Sequence, residues 1–396
     1  MDKVLVRTCP ICGNKTGEVL HHLNFVLPDK SPLPDEYDLV SCVNCGFVFA
    51  DAPAPQGSYD SYYRSFSIYE DEKVSSGGIT SRHDEIRQKR MAEDISRYLK
   101  GKNSSILDVG CANGGLLLEL KKLGYTDLIG IDPSKKCMKY VRDNGIQAYE
   151  GDIFSMGISL PDKLCDCVIL SHVMEHIKDI RGAMAAISAK MRDGAYLYIE
   201  VPDASSYSSH YIVPFYFFDS EHINHFDEHS LDNLCGQYRL IPVAHEKKDI
   251  DLNGINYPAV FGIYRKTSKF SIFNKLIPDL RAKSSVQEYL KMSLENSKWP
   301  EIEKLAETGE KVVIFGAGSF SQRIIAQEPF IKLKIAAFVD NNKSKQGSRL
   351  MNIPVHAPDY LLEHKGPIII SSALYSGDIS DQIRSMGVKN PIYIVH

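Results

Sequence analysis

The chain has 396 residues, 43% of them hydrophobic and 24% charged, with a formal net charge of −4. That length exceeds one hydrophobic core and implies two or three domains. The mild negative balance argues against a dedicated nucleic-acid binder, and no run of about 18 apolar residues marks a membrane span.

The opening stretch, MDKVLVRTCPICG, lacks the long apolar segment of a secretory leader, so a cytoplasmic protein is expected. It carries the first of two CxxC pairs. CPICG supplies Cys9 and Cys12, and CVNCG supplies Cys42 and Cys45. Two such knuckles turn four thiolates toward one tetrahedral Zn2+, each with a glycine that permits the bend. The 29 residues between the pairs exceed the usual spacing and imply an inserted loop. Four sulphurs leave no open position, so the metal is expected to hold a fold and do no chemistry. The other cysteines (Cys111, Cys137, Cys165, Cys167, Cys235) are scattered, and an odd total of nine is poor material for a disulfide framework.

Past the breaker-rich DAPAPQG, residues 57–80 are aromatic and polar. They read as a loop or lid, with Tyr59, Tyr62 and Tyr69 placed to cover an acceptor. From residue 81 to 268 helices and strands alternate. HDEIRQKRMAEDISRYL is helical; SSILDVG, DLIGID, CDCVILS and GAYLYIEVP are strand-like, and VAHEKKDID with YPAVFGIYRK suggests a closing hairpin. This rhythm predicts a largely parallel sheet. A helical linker, SSVQEYLKMSLENS, leads to a second βαβ pattern from about residue 301. There VVIFGAGSFSQRII gives Gly316, Gly318 and Ser321, with Asp340 22 residues past Gly318, a variant of the dinucleotide-binding pattern. Binding of an acceptor's nucleotide, binding of NAD, and a structural or dimerising role are all open for it.

The turn LDVGCANGG lies between a strand and a helix, and Asp132 closes the next strand. Bare backbone at Gly110 and Gly114 allows close approach of a ligand, and a carboxylate at Asp132 suits ribose hydroxyls. A nicotinamide site wants G-x-G-x-x-G, and GCANGG lacks its close first pair.

LDVGCANGG, GIDPS, GDIF and VILSHVMEHI, in that order, resemble the successive motifs of class I S-adenosylmethionine-dependent methyltransferases, over residues 105–201. By that resemblance Asp108, Gly110, Cys111 and Gly114 face the methionine part of the donor. Asp132 and Pro133 meet the ribose, Asp152 and Ile153 flank adenine, and Ser171 and His172 close the floor. A cysteine-knuckle N-terminus and a nucleotide-binding-like C-terminus around such a core resemble the zinc-containing sugar C-methyltransferases. The resemblance implies an α/β fold with a Rossmann-like core. Its divisions are a zinc-binding domain at 1–66, a methyltransferase domain at 67–268 and a Rossmann-like domain at 269–396. It implies a nucleotide-linked sugar as acceptor, C- or O-methylated in sugar or polysaccharide biosynthesis, in a monomer or homodimer. A methyltransferase for another small molecule or RNA, and a non-catalytic nucleotide-binding scaffold, are the alternatives.

Two histidine clusters compete for the chemistry. HVMEH (His172, Glu175, His176) also matches the H-x-x-E-H metallopeptidase pattern, which needs both histidines on one helical face; His176 is otherwise a wall of the donor pocket or an acceptor-side catalyst. In DSEHINHFDEH, Glu221 and His222 match the E-H of the sugar enzymes' motif, whereas Asp219, Ser220, His225 and Asp227 depart from it. This cluster suits a base with an orienting acid, a second metal site, or satisfied loop groups. As a base site it assigns His222 the proton, Glu221 the orientation and His225 the assisting role.

Overall fold

The computed structural model describes residues 2–65, 82–160, 162–252, 254–268 and 276–396, which build three sheets. Tyr69 lies outside the described residues. Among these residues no helix is long and apolar enough to cross a membrane.

The first sheet joins β1 (Asp2–Val4), β2 (Thr16–Asn24), β3 (Glu36–Cys42) and β4 (Val48–Asp51) as an antiparallel meander. The insertion between the cysteine pairs is the β2–β3 hairpin. Its tip reaches the far end of the chain: Val26 N–H donates to the Gln322 carbonyl at 2.7 Å and Asp29 N–H to Arg349 at 3.0 Å. Residues expected to begin a loop form a helix instead, α1 (Gln56–Ser65). Tyr59, Tyr62 and Tyr63 recur at i, i+3 and i+4, a helical stripe hidden in a polar stretch.

The central unit starts with α2 (Arg82–Ser96) and the fully buried strand β5 (Ser105–Val109). There follow α3 (Gly115–Lys122), β6 (Asp127–Asp132), α4 (Lys135–Asp143), β7 (Gln147–Glu150), α5 (Met156–Ser159), β8 (Cys165–Ser171), α6 (Ile180–Lys190) and β9 (Met191–Pro202). Ser134 and Asp179 cap α4 and α6 by accepting the N–H of Cys137 and Gly182. β10 (Asn224–His225) leaves this unit to pair with β4 and complete the first sheet. α7 (Glu228–Gly236), opened by a capping box between Asp227 and Ser230, leads to the hairpin of β11 (Leu240–Leu252) and β12 (Ile255–Lys266). The sheet order is β11-β12-β9-β8-β5-β6-β7, parallel from β7 to β9 and antiparallel at the hairpin. Strand order reverses between β5 and β8, and a crevice opens beyond their carboxyl ends. This is a Rossmann-like mixed α/β core.

The expected linker is α8 (Arg281–Asn296), whose Val286, Tyr289 and Leu290 are buried with Tyr207 and Phe215 of the central unit. After α9 (Pro300–Thr308) come β13 (Lys311–Phe315), α10 (Ser319–Ile324), β14 (Lys334–Val339), β15 (Arg349–Leu350), β16 (Ile353–His356), β17 (Ile368–Ser371), α11 (Ser376–Ser385) and β18 (Ile392–Val395). Their sheet runs β15-β16-β14-β13-β17-β18, with only the β15–β16 pair antiparallel.

Candidate active site

The β5–α3 turn sets the first wall of the crevice. Gly110 has φ 74°, and a Cβ there would meet Val173 Cγ2 at 2.7 Å, so only glycine fits. Ala112 N–H and Ser134 N–H donate to the two carboxylate oxygens of Asp132, at 2.9 and 2.8 Å. These bonds fix the carboxylate at the end of β6, on the lining of the crevice. The crevice is lined by Gly110, Asp132, Pro133, Asp152, Ile153, Ser171, His172 and His176, all singled out from the sequence. Three companions sit apart from that lining. Asp108 is buried beneath the turn, where desolvation and then Asp132 push its carboxyl up to about 8. The Cys111 thiol packs inward on Gly130, and Gly114, at φ 70°, packs on Val141.

Helix α1 forms the opposite wall with Gln56, Asp60, Tyr63 and Arg64. Gln56 Oε1 accepts the N–H groups of Lys178 and Asp179, both at 2.9 Å, tying α1 to the chain just after His176. Tyr59, expected over an acceptor, is instead fully buried in the core. The outer tyrosines face Glu221: Tyr62 Oη donates to Glu221 Oε1 at 2.6 Å, and Tyr63 Oη to Oε2 at 3.3 Å.

β8 ends at Ser171, and His172 follows with φ 54°. Its ring lies 3.1 Å from Glu175 and 3.4 Å from Glu200. Burial opposes the charged ring, yet the two carboxylates win and hold its pKa above the usual value. His176 sits in a short 3-10 turn, Met174–His176, which excludes His172. HVMEH therefore lacks the helical face a metallopeptidase pattern needs. His176 Nδ1 is 3.2 Å from the Glu221 carbonyl, and its ring centroid is 4.6 Å from that of His222. Burial and the neighbouring His222 push its pKa down to about 4, so the ring is neutral at pH 7.

Asp219 Oδ1 accepts the N–H of both Glu221 and His222, at 2.9 and 2.7 Å. The Glu221 carboxyl is pushed up to about 7 by desolvation and by Asp219, against the tyrosine hydrogen bonds. Glu175, His176 and His222 bring donor atoms within 4.8 Å of one another. His225, expected to assist, lies in β10 within an aromatic cage of Tyr207 and Phe218. It is 1% exposed, and burial drives its pKa down to about 3. His229 lies on α7, 3.8 Å from Asp279.

The four N-terminal cysteines converge. Cys9 and Cys45 sulphurs are 3.6 Å apart, those of Cys12 and Cys42 3.5 Å, and all four lie within 4.8 Å. A tetrahedral ion with Zn–S near 2.3 Å sets sulphurs roughly 3.8 Å apart, so the donor set is compatible with zinc. Gly13 and Gly46 adopt φ of 76° and 82° in the knuckle turns. The knuckle docks on α6 through Arg181, which donates to the carbonyls of Pro10 and Ile11. Buried Arg7 donates to the carbonyls of Lys178 and Ile223, flanking both site histidines.

Residues 83–240 match the family model described as a methyltransferase domain, and residues 308–392 match one described as C2185-like, N-terminal. Among curated proteins none matches the chain. Solved structures that align with part of it include a SAM-dependent methyltransferase from Methanosarcina mazei (20% identity, 44% of this chain and 98% of that chain, TM-score 0.38). A second, from Archaeoglobus fulgidus, is 21% identical over 46% of this chain and 94% of that chain, with TM-score 0.37. The 1,6-didemethyltoxoflavin-N1-methyltransferase of Burkholderia thailandensis, solved with its acceptor and S-adenosylhomocysteine, is 15% identical over 57% and 97%, with TM-score 0.42.

Proposed function

We propose that this chain, whose residues 83–240 match a methyltransferase domain, uses S-adenosylmethionine to methylate a nucleotide-linked sugar at carbon or oxygen. The observation that carries the reading is the edge-on His176–His222 pair at 4.6 Å, in which His176 lines the crevice and His222 stands behind it, beside a Glu221 carboxylate held by Tyr62 and Tyr63. The Glu221–His222 pair is also the part that resembles the sugar enzymes' motif.

In this reading Asp132 takes the donor's ribose hydroxyls, Asp152 and Ile153 flank its adenine, and Gly110 lets its methionine portion lie on bare backbone. The fit rests on the fixed carboxylate of Asp132 and on the buried Ser171 Oγ, which has no partner among the described residues. Bound there, the donor supplies a sulfonium-activated methyl group. The chain's own work is alignment, exclusion of water and removal of one proton. His222 takes the acceptor's proton on its imidazole, Glu221 orients the ring, and neutral His176 packs against it. A positioned base adds about 10²–10⁴ in rate, and alignment about 7–11 kcal/mol. The four cysteines hold a structural zinc that fixes the first sheet, and with it β10 and Arg7, behind the histidines. The chain divides into units near 1–66, 67–268 and 269–396, with β10 lent by the second unit to the first sheet.

Thermal unfolding with S-adenosylhomocysteine present, across UDP-, GDP- and TDP-linked sugars, tests the acceptor. A specific nucleotide-sugar stabilises by mass action. Protection by none of them, with protection by another small molecule or an RNA, would replace the sugar assignment.

A further inference from the structure

The 3-10 turn that carries His176 and the loop before β10 bring a second donor set together. Glu175, His176 and His222 each offer one ligand atom, and these atoms lie within 4.8 Å of one another. The tautomer of His176 is fixed by its partner. A carbonyl can only accept, so Nδ1 carries the hydrogen toward the Glu221 oxygen at 3.2 Å, and in the neutral ring Nε2 is left bare. That bare nitrogen stands 3.9 Å from Glu175 Oε1, which is itself 3.1 Å from the His172 ring. The other carboxylate oxygen, Oε2, is buried with no hydrogen-bond partner among the described residues, on a side chain only 1% exposed.

A bare nitrogen and a carboxylate therefore face each other lone pair to lone pair, with no proton to share. Burial makes that costly, and a cation between the donors relieves it. His222 closes the set, edge-on to His176 with ring centroids 4.6 Å apart, and it is the half-buried member through which an ion can enter. Two imidazoles and one carboxylate suit a divalent ion such as Zn2+, Co2+ or Ni2+, whereas Mg2+ and Ca2+ want more oxygens. A ligand histidine whose other ring nitrogen donates to a backbone carbonyl is the usual support of such a site. Metal–nitrogen bonds of about 2.0–2.1 Å set tetrahedral donors roughly 3.3 Å apart, so the three groups draw together on binding. Four thiolates hold zinc more firmly, so the cysteine cluster fills first and this set takes added metal.

We infer that Glu175, His176 and His222 form a binding site for one divalent transition-metal ion, separate from the cysteine cluster and set behind the wall of the crevice. A neutral imidazole has one bare nitrogen, so an ion held by His222 takes the lone pair that would accept the acceptor's proton. Filling the site thereby silences methyl transfer. That consequence rests on the reading of His222 as the base; the site itself does not.

Co2+ titrated into the full chain, with zinc already in its cysteine cluster, tests the site by visible absorption and calorimetry. One Co2+ per chain is expected, with ligand-field bands but without the thiolate charge transfer of a cysteine-bound ion. Glu175→Gln and His222→Phe should each weaken binding by about a hundredfold or more, beyond the usual cost of losing a ligand's hydrogen-bond partner. No uptake by the folded wild type, thiolate bands alone, or unchanged affinity in His222→Phe would overturn the site. If Glu175→Gln does not fold, His222→Phe, at the half-buried position, decides the matter. The two readings fail separately. Turnover should fall as the Co2+ bands rise; full turnover with the site filled would remove His222 as the base and leave the metal site standing.

Discussion

Tyr62 donates its phenol hydrogen to Glu221 at 2.6 Å, joining a helix from one end of the chain to the residue that precedes His222. The bond works against a larger cost. Desolvation and Asp219 raise the Glu221 pKa to about 7 from 4.5, so the folded chain binds this proton more tightly than the unfolded one. Stability from this group is complete below pH 4.5 and is lost as pH rises toward 7 and beyond. Glu221→Gln removes the dependence. Thermal unfolding should show the variant more stable than wild type above pH 7, by about 1–3 kcal/mol, and no gain near pH 4.

His225 has the opposite sign. Its folded pKa of about 3, against 6.5, means that the unfolded chain takes up the proton first. Stability contributed by the neutral ring is full above pH 6.5 and falls as pH drops toward 3. His225→Phe should flatten that part of the acid unfolding curve, recovering roughly 2–4 kcal/mol near pH 4. Because His225 lies in the aromatic cage, the same variant should keep methyl transfer within about threefold of wild type at pH 7.5. A large loss of turnover with unchanged stability would return His225 to the catalytic group.

Elemental analysis of the purified chain should find one zinc per molecule, held by the cysteine cluster. Cys12→Ser should lower that content and destabilise the chain by several kcal/mol, since a structural zinc contributes directly to folding. The damage should reach the histidine loop, because β4 carries β10 and Arg7 is bonded to Asp51, Lys178 and Ile223.

Much of this was legible in local patterns. Four of the five parallel strands, the closing hairpin and the converging cysteines follow from apolar runs and CxxC spacing, signals carried within short windows, whereas the short β7 gave no such run. The crevice-lining residues were readable because a glycine turn and a strand-ending acid are set by backbone geometry at adjacent positions. Helix α1 was hidden by polar composition, although the tyrosine spacing 59, 62, 63 held the clue. His222 and His225 look alike in sequence, three residues apart. They part company because β10 begins at Asn224 and draws His225 into the first sheet, a long-range pairing no local window contains.

The central claim is that the crevice beyond β5, β6 and β8 holds the methyl donor with its ribose on Asp132. Calorimetric titration with S-adenosylhomocysteine of the wild-type chain and of Asp132→Ala tests it most directly. The account predicts one site in the wild type and an affinity weakened by about tenfold to a hundredfold in the variant, the loss of one or two hydrogen bonds to a carboxylate. Equal affinities in the two proteins, or no binding by the wild type, would contradict it.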